Sequence, residues 1–368
     1  MTELADAADL ARRLVASDTA GTLSTLFSSR GSTYRPLGSM MVSLPGRHAG
    51  GISGGCLEEY VARIGERATR STPAVMMQFS THRDADDVVP VLGCGGTIEV
   101  LVERLAPQHV TFLEQFARAA QGDDGCLVAC VVRHEGESLS VTRAWPRGRG
   151  AWQVASNPEV ADMCAEAARD AKSIHKSIAP DADVLVQYLP PLTRLVIFGA
   201  GDDAQPLCEI AAKLGWHVSI GDRRARLATS ARFPEAGALF AGDWPEIVDA
   251  TTFSARTAVV LMTHDLDDDA RVLSLLSGKP FAYLGALGPA HRRLWLLDQA
   301  SAFPRGPNEI VCSALRGPIG LNLGDRSPAG IAVAIVADIL AVLNRRVARP
   351  LHACDSLTNA SGVMEVGV

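Results

Sequence analysis

The segment 194–222 constrains the fold more than any other part of the chain. It reads RLVIFGAGDDAQPLCEIAAKLGWHVSIGD, in which an apolar strand runs into a Gly-Ala-Gly turn at 199–201, followed by a helix and a second strand. Ala204 stands at the third glycine position of a dinucleotide-binding turn, and Asp222 follows about 20 residues after the turn, where such units bind ribose. The segment therefore predicts a Rossmann-type βαβ unit whose cofactor-binding residues include Gly199, Gly201 and Asp222.

Two acidic residues, Asp202 and Asp203, lie inside this predicted turn. A pyrophosphate bound there would be close to both carboxylates, and such like-charge contacts oppose binding even at a surface-like dielectric. The acids argue against a simple NAD-binding turn, whereas Arg223 and Arg224 after the second strand would favour a phosphorylated ribose. We therefore expect nicotinamide binding to be weak or absent unless a divalent cation bridges the acids and the phosphates.

Further strands are predicted to extend this sheet, in the stretches GALFAG, TAVVLMTHD and PFAYLGALG. His264 ends a nearly continuous apolar strand, which places it at the carboxyl edge of a parallel sheet, where ligands bind in such folds. We take it as a candidate cofactor-binding residue, with a structural cap as the alternative. The stretch EIVCSALR is predicted to give one more strand, and Ser327 is predicted to cap the final helix with Pro328 in its first turn.

The glycine-rich stretch GGISGGCLEEY carries the cysteine that is best placed for chemistry, Cys56. Apolar residues at helical spacing after it predict a helix with Cys56 in its first turn and Ser53 as the N-cap. A thiolate is favoured at a helix N-terminus, where it acts as a nucleophile or a soft-metal ligand. Gly54 and Gly55 would leave the backbone N–H groups open to a ligand. The alternative interpretation is a small buried cysteine behind a tight turn.

A second cysteine, Cys94, lies in another glycine cluster, LGCGG, just before the predicted strand TIEVLVERL. Glycine at the start of a strand is usually kept for close backbone approach, so the two clusters support each other as parts of a cofactor site. The eight cysteines of the chain otherwise show no disulfide or zinc-finger spacing. Cys126 and Cys130 are expected to face one side of a strand as packing.

Charge and hydropathy exclude several classes of protein. The formal net charge of -6 and a pI near 5.9 argue against nucleic-acid binding, as does the absence of a Lys/Arg run. No apolar run reaches the roughly 18 residues of a membrane span, and the first residues lack the order of a signal peptide. We expect a cytoplasmic protein with small-molecule or protein partners and no stable membrane insertion.

The chain is long enough for two domains, and Pro190-Pro191 marks the expected boundary between them. The predicted fold class is α/β. An N-terminal α+β domain over 1–190 is followed by a C-terminal Rossmann-like, doubly wound parallel-sheet domain over 191–347 and a tail over 348–368.

Seven motifs in this order resemble the XdhC/CoxI family, the accessory proteins of xanthine dehydrogenase and related molybdenum hydroxylases. They are GSTYRPLGSMMV, GGISGGCLE, LGCGGTIEVLVE, FGAGDDAQPL, MTHD, AYLGALG and GPIGLNLGDRSPAGIAVAIVADI. The resemblance extends over nearly the whole chain. It departs from the family pattern at Ala329-Gly330, where relatives often carry acidic residues, which weakens the start of the last helix more than the site.

This resemblance implies a chaperone and not an enzyme. The chain would bind molybdenum cofactor (molybdopterin), assist the replacement of an oxo ligand by sulfur, and insert the cofactor into a hydroxylase of xanthine dehydrogenase or carbon monoxide dehydrogenase type. Its implied partners are the apo-hydroxylase, a cysteine desulfurase-type sulfur donor and a second copy of the chain in a homodimer. Cys56 would bind the metal, and the ligand is expected between the domains. The other implied cofactor-binding residues are Cys94, Gly54, Gly55, Gly199, Gly201, Asp222 and His264.

Two alternatives from other classes stay open. In an NAD(P)-dependent oxidoreductase, the Rossmann domain would bind nicotinamide and Cys56 or His264 would take part in the chemistry. In a protein-interaction scaffold, neither domain would bind a ligand. The acids at Asp202 and Asp203 disfavour the oxidoreductase, and the small molecules released on denaturation would separate all three.

Overall fold

The structure is a computed structural model that describes residues 2–80, 96–147, 151–152 and 157–350. The chain divides into two compact units, the first reaching Pro191 and the second spanning Leu192–Pro350. Cys94 and residues 351–368 of the predicted tail lie outside the described residues. Within the described part, no helix combines the length and apolarity that crossing a membrane requires.

The first unit begins with a five-stranded antiparallel sheet in the order β3-β2-β1-β5-β4. Helices α1 and α3 pack on the face that carries Leu23 and Val42, while α2 packs on the opposite face with Met41 and Val102. The elements are α1 (Thr2–Ala16), β1 (Thr22–Arg30), β2 (Met40–Leu44), β3 (Arg47–Gly50), α2 (Glu58–Ala68), β4 (Ala74–Ser80), β5 (Thr97–Arg104) and α3 (Pro107–Ala119).

A second antiparallel sheet, in the order β10-β11-β6-β7, completes the first unit. Helix α4 packs on it through Val160 and Met163, and Asn157 caps this helix by accepting the Glu159 N–H at 2.9 Å. The elements are β6 (Cys126–Glu135), β7 (Ser138–Ala144), β8 (Pro146–Arg147), β9 (Ala151–Trp152), α4 (Pro158–Asp170), β10 (Ile174–Ala179) and β11 (Ala182–Leu189). As predicted, Cys126 and Cys130 are buried in one strand, β6.

The second unit is built on a six-stranded parallel sheet in the order β14-β13-β12-β15-β16-β17. Helices α5 and α10 cover one face, and the remaining helices cover the other. The elements are β12 (Arg194–Phe198), α5 (Ala204–Lys213), β13 (His217–Asp222), β14 (Ala238–Ala241), α6 (Trp244–Ala250), β15 (Thr257–Leu261), α7 (Leu266–Leu275), β16 (Tyr283–Ala286), α8 (Ala290–Ser301), α9 (Glu309–Ala314), β17 (Leu315–Arg316) and α10 (Pro328–Leu343).

This topology confirms the predicted doubly wound fold. The strand order reverses between β12 and β15, so the loops that follow these two strands meet at the switch point where such sheets bind ligands. The predicted cap of the last helix is also confirmed, since Ser327 accepts the Gly330 N–H at 3.1 Å.

One predicted strand is wrong. The stretch EIVCSA forms helix α9, and only Leu315–Arg316 continue as a strand. Asn308 caps this helix by accepting the Val311 N–H at 3.0 Å, and Val311 is buried against the sheet. Two β-branched residues in a row favour a strand in the sequence, but the cap and the burial of one helical face decide the outcome.

Candidate functional site

Cys56 lies in the loop 51–57, which joins β3 to α2 and is called the Cys56 loop below. Its side chain is exposed, and helix α2 begins only at Glu58. The predicted position of Cys56 in the first helical turn is therefore wrong by two residues. Ser53 is not the N-cap either, because Leu57 occupies that position without a side-chain cap.

The side chain of Glu58 holds the loop that precedes helix α2. Its Oε1 accepts the N–H groups of Ile52 at 3.1 Å and Ser53 at 2.7 Å, and its Oε2 accepts the Leu57 N–H at 3.3 Å and the Ser53 hydroxyl. Glu58 is only 3% exposed. Burial raises the pKa of this carboxyl, but the hydrogen bonds from Ser53 and from the backbone outweigh burial, so the pKa lies below its usual value.

The Cys56 thiol is hydrogen-bonded within the same loop. Its Sγ lies 3.5 Å from the Ser53 Oγ, which also accepts the N–H groups of Leu57 at 3.1 Å and Gly55 at 3.3 Å. Gly55 has φ +106° with open space where a side chain would stand. Only glycine adopts this left-handed conformation readily, so Gly55 sets the path of the chain into Cys56.

Two side chains from the loop after β1 pack against the Cys56 loop. A Cβ at Gly54 would lie 3.2 Å from the Tyr34 ring, so the ring rests on bare backbone. Arg35 donates from Nε to the Ser53 carbonyl at 3.3 Å and from both terminal nitrogens to Glu3 on α1, at 2.8 and 3.0 Å. The thiol is therefore exposed on a loop that is tied to helices α1 and α2.

In the second unit, the glycine turn after β12 is held tightly against its neighbours. Gly199 has φ +116°, and a Cβ there would lie 2.4 Å from the Met262 carbonyl oxygen. The next residue, Ala200, donates its N–H to Asp222 Oδ2 at 2.7 Å. The N–H groups of Gly201, Asp202 and Asp203 have no acceptor among the described residues. The turn thus presents backbone donors at the start of α5, as anion-binding turns do.

Asp222 is 2% exposed, and the chain itself fills its hydrogen-bonding capacity. Oδ1 accepts the Arg224 N–H at 2.8 Å and its Nε at 2.9 Å, while Oδ2 accepts the Ala200 N–H and Arg224 Nη2 at 2.8 Å. Burial raises the pKa of Asp222, but these bonds outweigh burial and lower it. A ribose that used this carboxylate would have to displace Arg224.

One of the two acids of the turn, Asp202, is paired with an arginine that the sequence did not indicate. Arg232 donates from Nη2 to Asp202 Oδ1 at 2.9 Å and to the Ala200 carbonyl at 3.2 Å. Asp203 Oδ2 lies 3.7 Å from His264 Nε2. The backbone of His264 has φ +64°, a left-handed conformation that is costly for residues other than glycine. Its ring lies close to Gly201, where an added Cβ would be 3.6 Å from the ring. The repulsion that was predicted between a phosphate and Asp202 is therefore reduced by the guanidinium of Arg232.

A surface pocket of about 560 Å³ lies beside Asp222, at the carboxyl ends of β13 and β14. Arg223 crosses it to reach Asp268 Oδ1 at 3.0 Å. Both arginines that were noted in the sequence line this pocket. Arg223 pairs with Asp268, and Arg224 pairs with Asp222. The lining residues are Arg223, Arg224, Gly242, Asp243, Glu246 and Asp268.

The predicted site residues thus form two groups, one in each unit. Cys56, Gly54 and Gly55 share the Cys56 loop, and the second group surrounds the switch point of the parallel sheet. Among the described residues there is no cluster of three or more His, Cys, Asp or Glu side chains that could hold a metal. The second group comprises Gly199, Gly201, Asp222 and His264.

Family models match both units of the chain. The model described as the XdhC Rossmann domain matches residues 195–339, and the model described as the XdhC and CoxI family matches residues 14–80. The family that was inferred from the ordered motifs is confirmed.

Individual relatives extend the match over most of the chain. A protein of Bacillus subtilis that is named as a probable subunit of xanthine dehydrogenase is 28% identical over 327 residues, which cover 88% of this chain and 93% of the relative. The molybdenum cofactor insertion chaperone PaoD of Escherichia coli is 25% identical over 322 residues, which cover 87% and 82%. A crystal structure described as a xanthine dehydrogenase from Bacillus halodurans shares the fold, with a TM-score of 0.71 and 22% identity over 96% of this chain and 98% of that one.

Proposed function

The chain belongs to the XdhC and CoxI family, and from that membership we propose that it is a chaperone that binds molybdenum cofactor and inserts it into a molybdenum hydroxylase. In this proposal the chain also supports the sulfuration of the cofactor before insertion. The relative named as a molybdenum cofactor insertion chaperone supports the same role.

The observation that carries the proposal is the exposed thiol of Cys56 on a loop with a fixed hydrogen-bond network. A thiolate is a soft ligand of the kind that a transition metal with sulfur ligands accepts. Cys56 would bind the metal of the cofactor, and the glycines beside it would let the bulky pterin approach the backbone. Cys94 stays a predicted second contact that lies outside the described residues.

The glycine turn of the second unit would bind a phosphate group of a ligand. Its donors are the N–H groups at 201–203, and Arg232 adds a guanidinium at the same turn. His264 projects from the adjacent strand end and would contact the same ligand. Asp222 would act indirectly, because it fixes Ala200 and through it the shape of the turn.

The partners follow from the role and from the relatives. The recipient would be an apo-hydroxylase of xanthine dehydrogenase or carbon monoxide dehydrogenase type, and the name of the B. subtilis relative also points to xanthine dehydrogenase. A cysteine desulfurase-type protein would supply the sulfur. We further propose that the chain forms a homodimer.

The test is cofactor retention in a host that makes molybdenum cofactor. Cys56→Ser should lose most of the molybdenum and of the fluorescent pterin that denaturation releases, by about tenfold or more relative to the unaltered chain. Cys312→Ser is the matched control, because Cys312 is a partly buried thiol of the second unit. Equal retention in all three proteins would rule out Cys56 as the chief ligand.

A further inference from the structure

Asp269, on helix α7, has a fully buried carboxylate that holds the loop after β15 in place. Its Oδ1 accepts the Thr263 N–H at 3.2 Å and the Thr263 hydroxyl at 2.7 Å. Its Oδ2 accepts from Nη2 of Arg292, on helix α8, at 2.9 Å. Burying a carboxylate is costly unless it is paired and hydrogen-bonded. Asp269 therefore fixes Arg292 beside the loop that carries His264.

The stem of Arg292 lies against the backbone of Gly288, in the loop after β16. A Cβ added at Gly288 would lie 2.4 Å from Cδ of Arg292, and Gly288 has φ +131°, which favours glycine. The guanidinium has five N–H groups, and within the described part of the chain only Asp269 accepts from it. Nε is buried, but the side chain keeps 19% of its surface exposed and Nη1 is not buried. Arg292 is thus a fixed guanidinium with donors open to solvent.

The guanidinium lies at the same edge of the sheet as the glycine turn. Strands β12, β15 and β16 are parallel neighbours, so the loops after them meet at their carboxyl ends. A Cβ added at Gly199 would lie 2.7 Å from the Thr263 backbone N, and Asp269 links Thr263 to Arg292. The N–H groups at 201–203 therefore approach the loop after β15 from the β12 side, and Arg292 approaches it from the β16 side.

We propose that Arg292 is an oxyanion-binding residue of this edge, which binds a second phosphate of a ligand whose first phosphate lies on the N–H groups at 201–203. A planar guanidinium with unused N–H groups matches the oxygens of a phosphate and binds them with charge-assisted hydrogen bonds. The inference rests on the proposed function only for the phosphate at the glycine turn. It adds a requirement on the ligand, which carries at least two linked phosphates.

Several carboxylates lie at the same edge and oppose an anion. Asp268 is paired with Arg223 at 3.0 Å. Asp265 caps α7, where it accepts the N–H groups of Asp267 and Asp268 at 2.9 and 3.0 Å. Solvent screens the field of exposed carboxylates, whereas a direct hydrogen bond from a guanidinium to a phosphate is short and strong. A phosphate at this edge is therefore bound where Arg292 can contact it.

The test is calorimetric titration of the cofactor-free protein with inorganic phosphate and with inorganic triphosphate, in buffer without magnesium. The unaltered chain should bind triphosphate at least about tenfold more tightly, because only triphosphate reaches both groups of donors. Arg292→Gln should lower the triphosphate affinity by about fivefold or more and the phosphate affinity by less than about twofold. Arg305→Gln removes an exposed charge after α8 and is the matched control, with both affinities changed by less than about twofold.

Arg292→Gln also leaves the buried Asp269 without a counter-charge, which lowers stability. The double variant Asp269→Asn with Arg292→Gln removes both charges together, and it replaces the single variant if that one does not fold. It should show the same loss of triphosphate affinity. The phosphate affinity, measured beside it, reports whether the glycine turn is intact.

A smaller loss of triphosphate affinity in the folded variant would overturn the proposal, as would similar affinities for the two anions in the unaltered chain. An equal loss for phosphate and triphosphate would overturn it too, because the variant would then disturb the glycine turn itself. The titration needs no molybdenum cofactor. Its failure is therefore distinct from equal molybdenum retention in Cys56→Ser, which would contradict the proposed function.

Discussion

Arg143 on β7 donates from both terminal nitrogens to the carboxylate of Glu103 on β5, so a buried ion pair joins the two antiparallel sheets of the first unit. The Nη1 to Oε1 distance is 3.0 Å, and His109 Nε2 lies 3.3 Å from the same Oε1. The guanidinium also lies 4.8 Å from the centre of the Phe112 ring. Both side chains of this pair are removed from water. Removing either one would leave a buried charge without a counter-charge and would destabilise the fold.

Glu103→Gln is expected to lower the free energy of unfolding by about 3–5 kcal/mol, because it leaves the Arg143 charge buried without a counter-charge. Denaturant unfolding followed by circular dichroism measures this loss. Glu137→Gln, in the exposed turn between β6 and β7, is the control and should change stability by less than about 0.5 kcal/mol. A loss below about 1 kcal/mol for Glu103→Gln would show that the pair is dispensable.

The same pair predicts how stability depends on pH. Burial raises the pKa of Glu103, but the charge of Arg143 and the hydrogen bond from His109 outweigh it and lower the pKa from 4.5 to about 2. Since the folded value lies below the unfolded one, ionised Glu103 stabilises the native state fully above about pH 4.5, and this contribution is lost as the pH falls towards 2. The stability gap between the unaltered chain and Glu103→Gln should therefore narrow over that range. A constant gap in unfolding experiments from pH 6 to pH 3 would contradict this assignment.

Gly199 and Gly201 should differ sharply in their tolerance of a side chain. Gly199→Ala places a Cβ 2.4 Å from a carbonyl oxygen at φ +116°, so we expect a loss of more than about 2 kcal/mol. Gly201→Ala meets only the His264 ring at 3.6 Å, an ordinary contact, and should cost less than about 1 kcal/mol. Thermal unfolding of the two variants compares them directly. Equal melting temperatures would mean that the turn can relax away from β15.

The described cysteines should react with an alkylating reagent in a fixed order. Cys56 is exposed, whereas burial raises the pKa of Cys126 and Cys164 to about 11 and is the main cause that raises the pKa of Cys208 to about 12. Because the thiolate is the reactive form, Cys56 should be labelled at pH 8 at least about a hundredfold faster than these three. Peptide mass spectrometry over a time course gives the rates. Rates for Cys126 and Cys164 comparable to that of Cys56 would indicate that the first unit opens readily, and a comparable rate for Cys208 would indicate the same of the second unit.

Nicotinamide nucleotides should bind weakly. The carboxylate of Asp222 already accepts four hydrogen bonds from its own chain, so a ribose would have to compete with Arg224. We expect calorimetric titration with NADH or NADPH to show no micromolar binding in the absence of magnesium. Micromolar binding, or steady oxidation of either nucleotide with an aldehyde or ketone, would instead favour the alternative NAD(P)-dependent oxidoreductase.

The sequence predicts the second unit well because its signals are local. The glycine turn, the helix after it and Asp222 occur within one segment, 194–222. That segment is enough to identify a Rossmann-type fold. The pairing of Asp202 with Arg232 could not be anticipated, because it depends on how the loop after β13 folds back over the turn. The charge of Arg232 therefore has to be counted beside the two carboxylates, and weak nicotinamide binding stays a prediction.

The Cys56 loop shows a different limit of the sequence. A run of glycines and a cysteine identify the loop in the sequence. In the structure α2 begins at Glu58, whose side chain reaches back and accepts the N–H groups of Ile52 and Ser53. A serine at position 53 matches the N-cap preference, so propensity alone places the start of the helix too early. The ion pair between Glu103 and Arg143 joins two sheets, and its partners are 40 residues apart in the chain. No local sequence pattern therefore indicates this pair.

The saturated carboxylate of Asp222 has a consequence for the proposed chaperone role, in which the chain releases the cofactor that it binds. A carrier spends part of every cycle empty, and a buried acid that relied on its cargo for hydrogen bonds would be left unsatisfied at each release. Here Arg224 and the Ala200 N–H supply those bonds within the chain. Under the proposed role, release of the cofactor would therefore leave no buried carboxylate oxygen of Asp222 without a hydrogen bond.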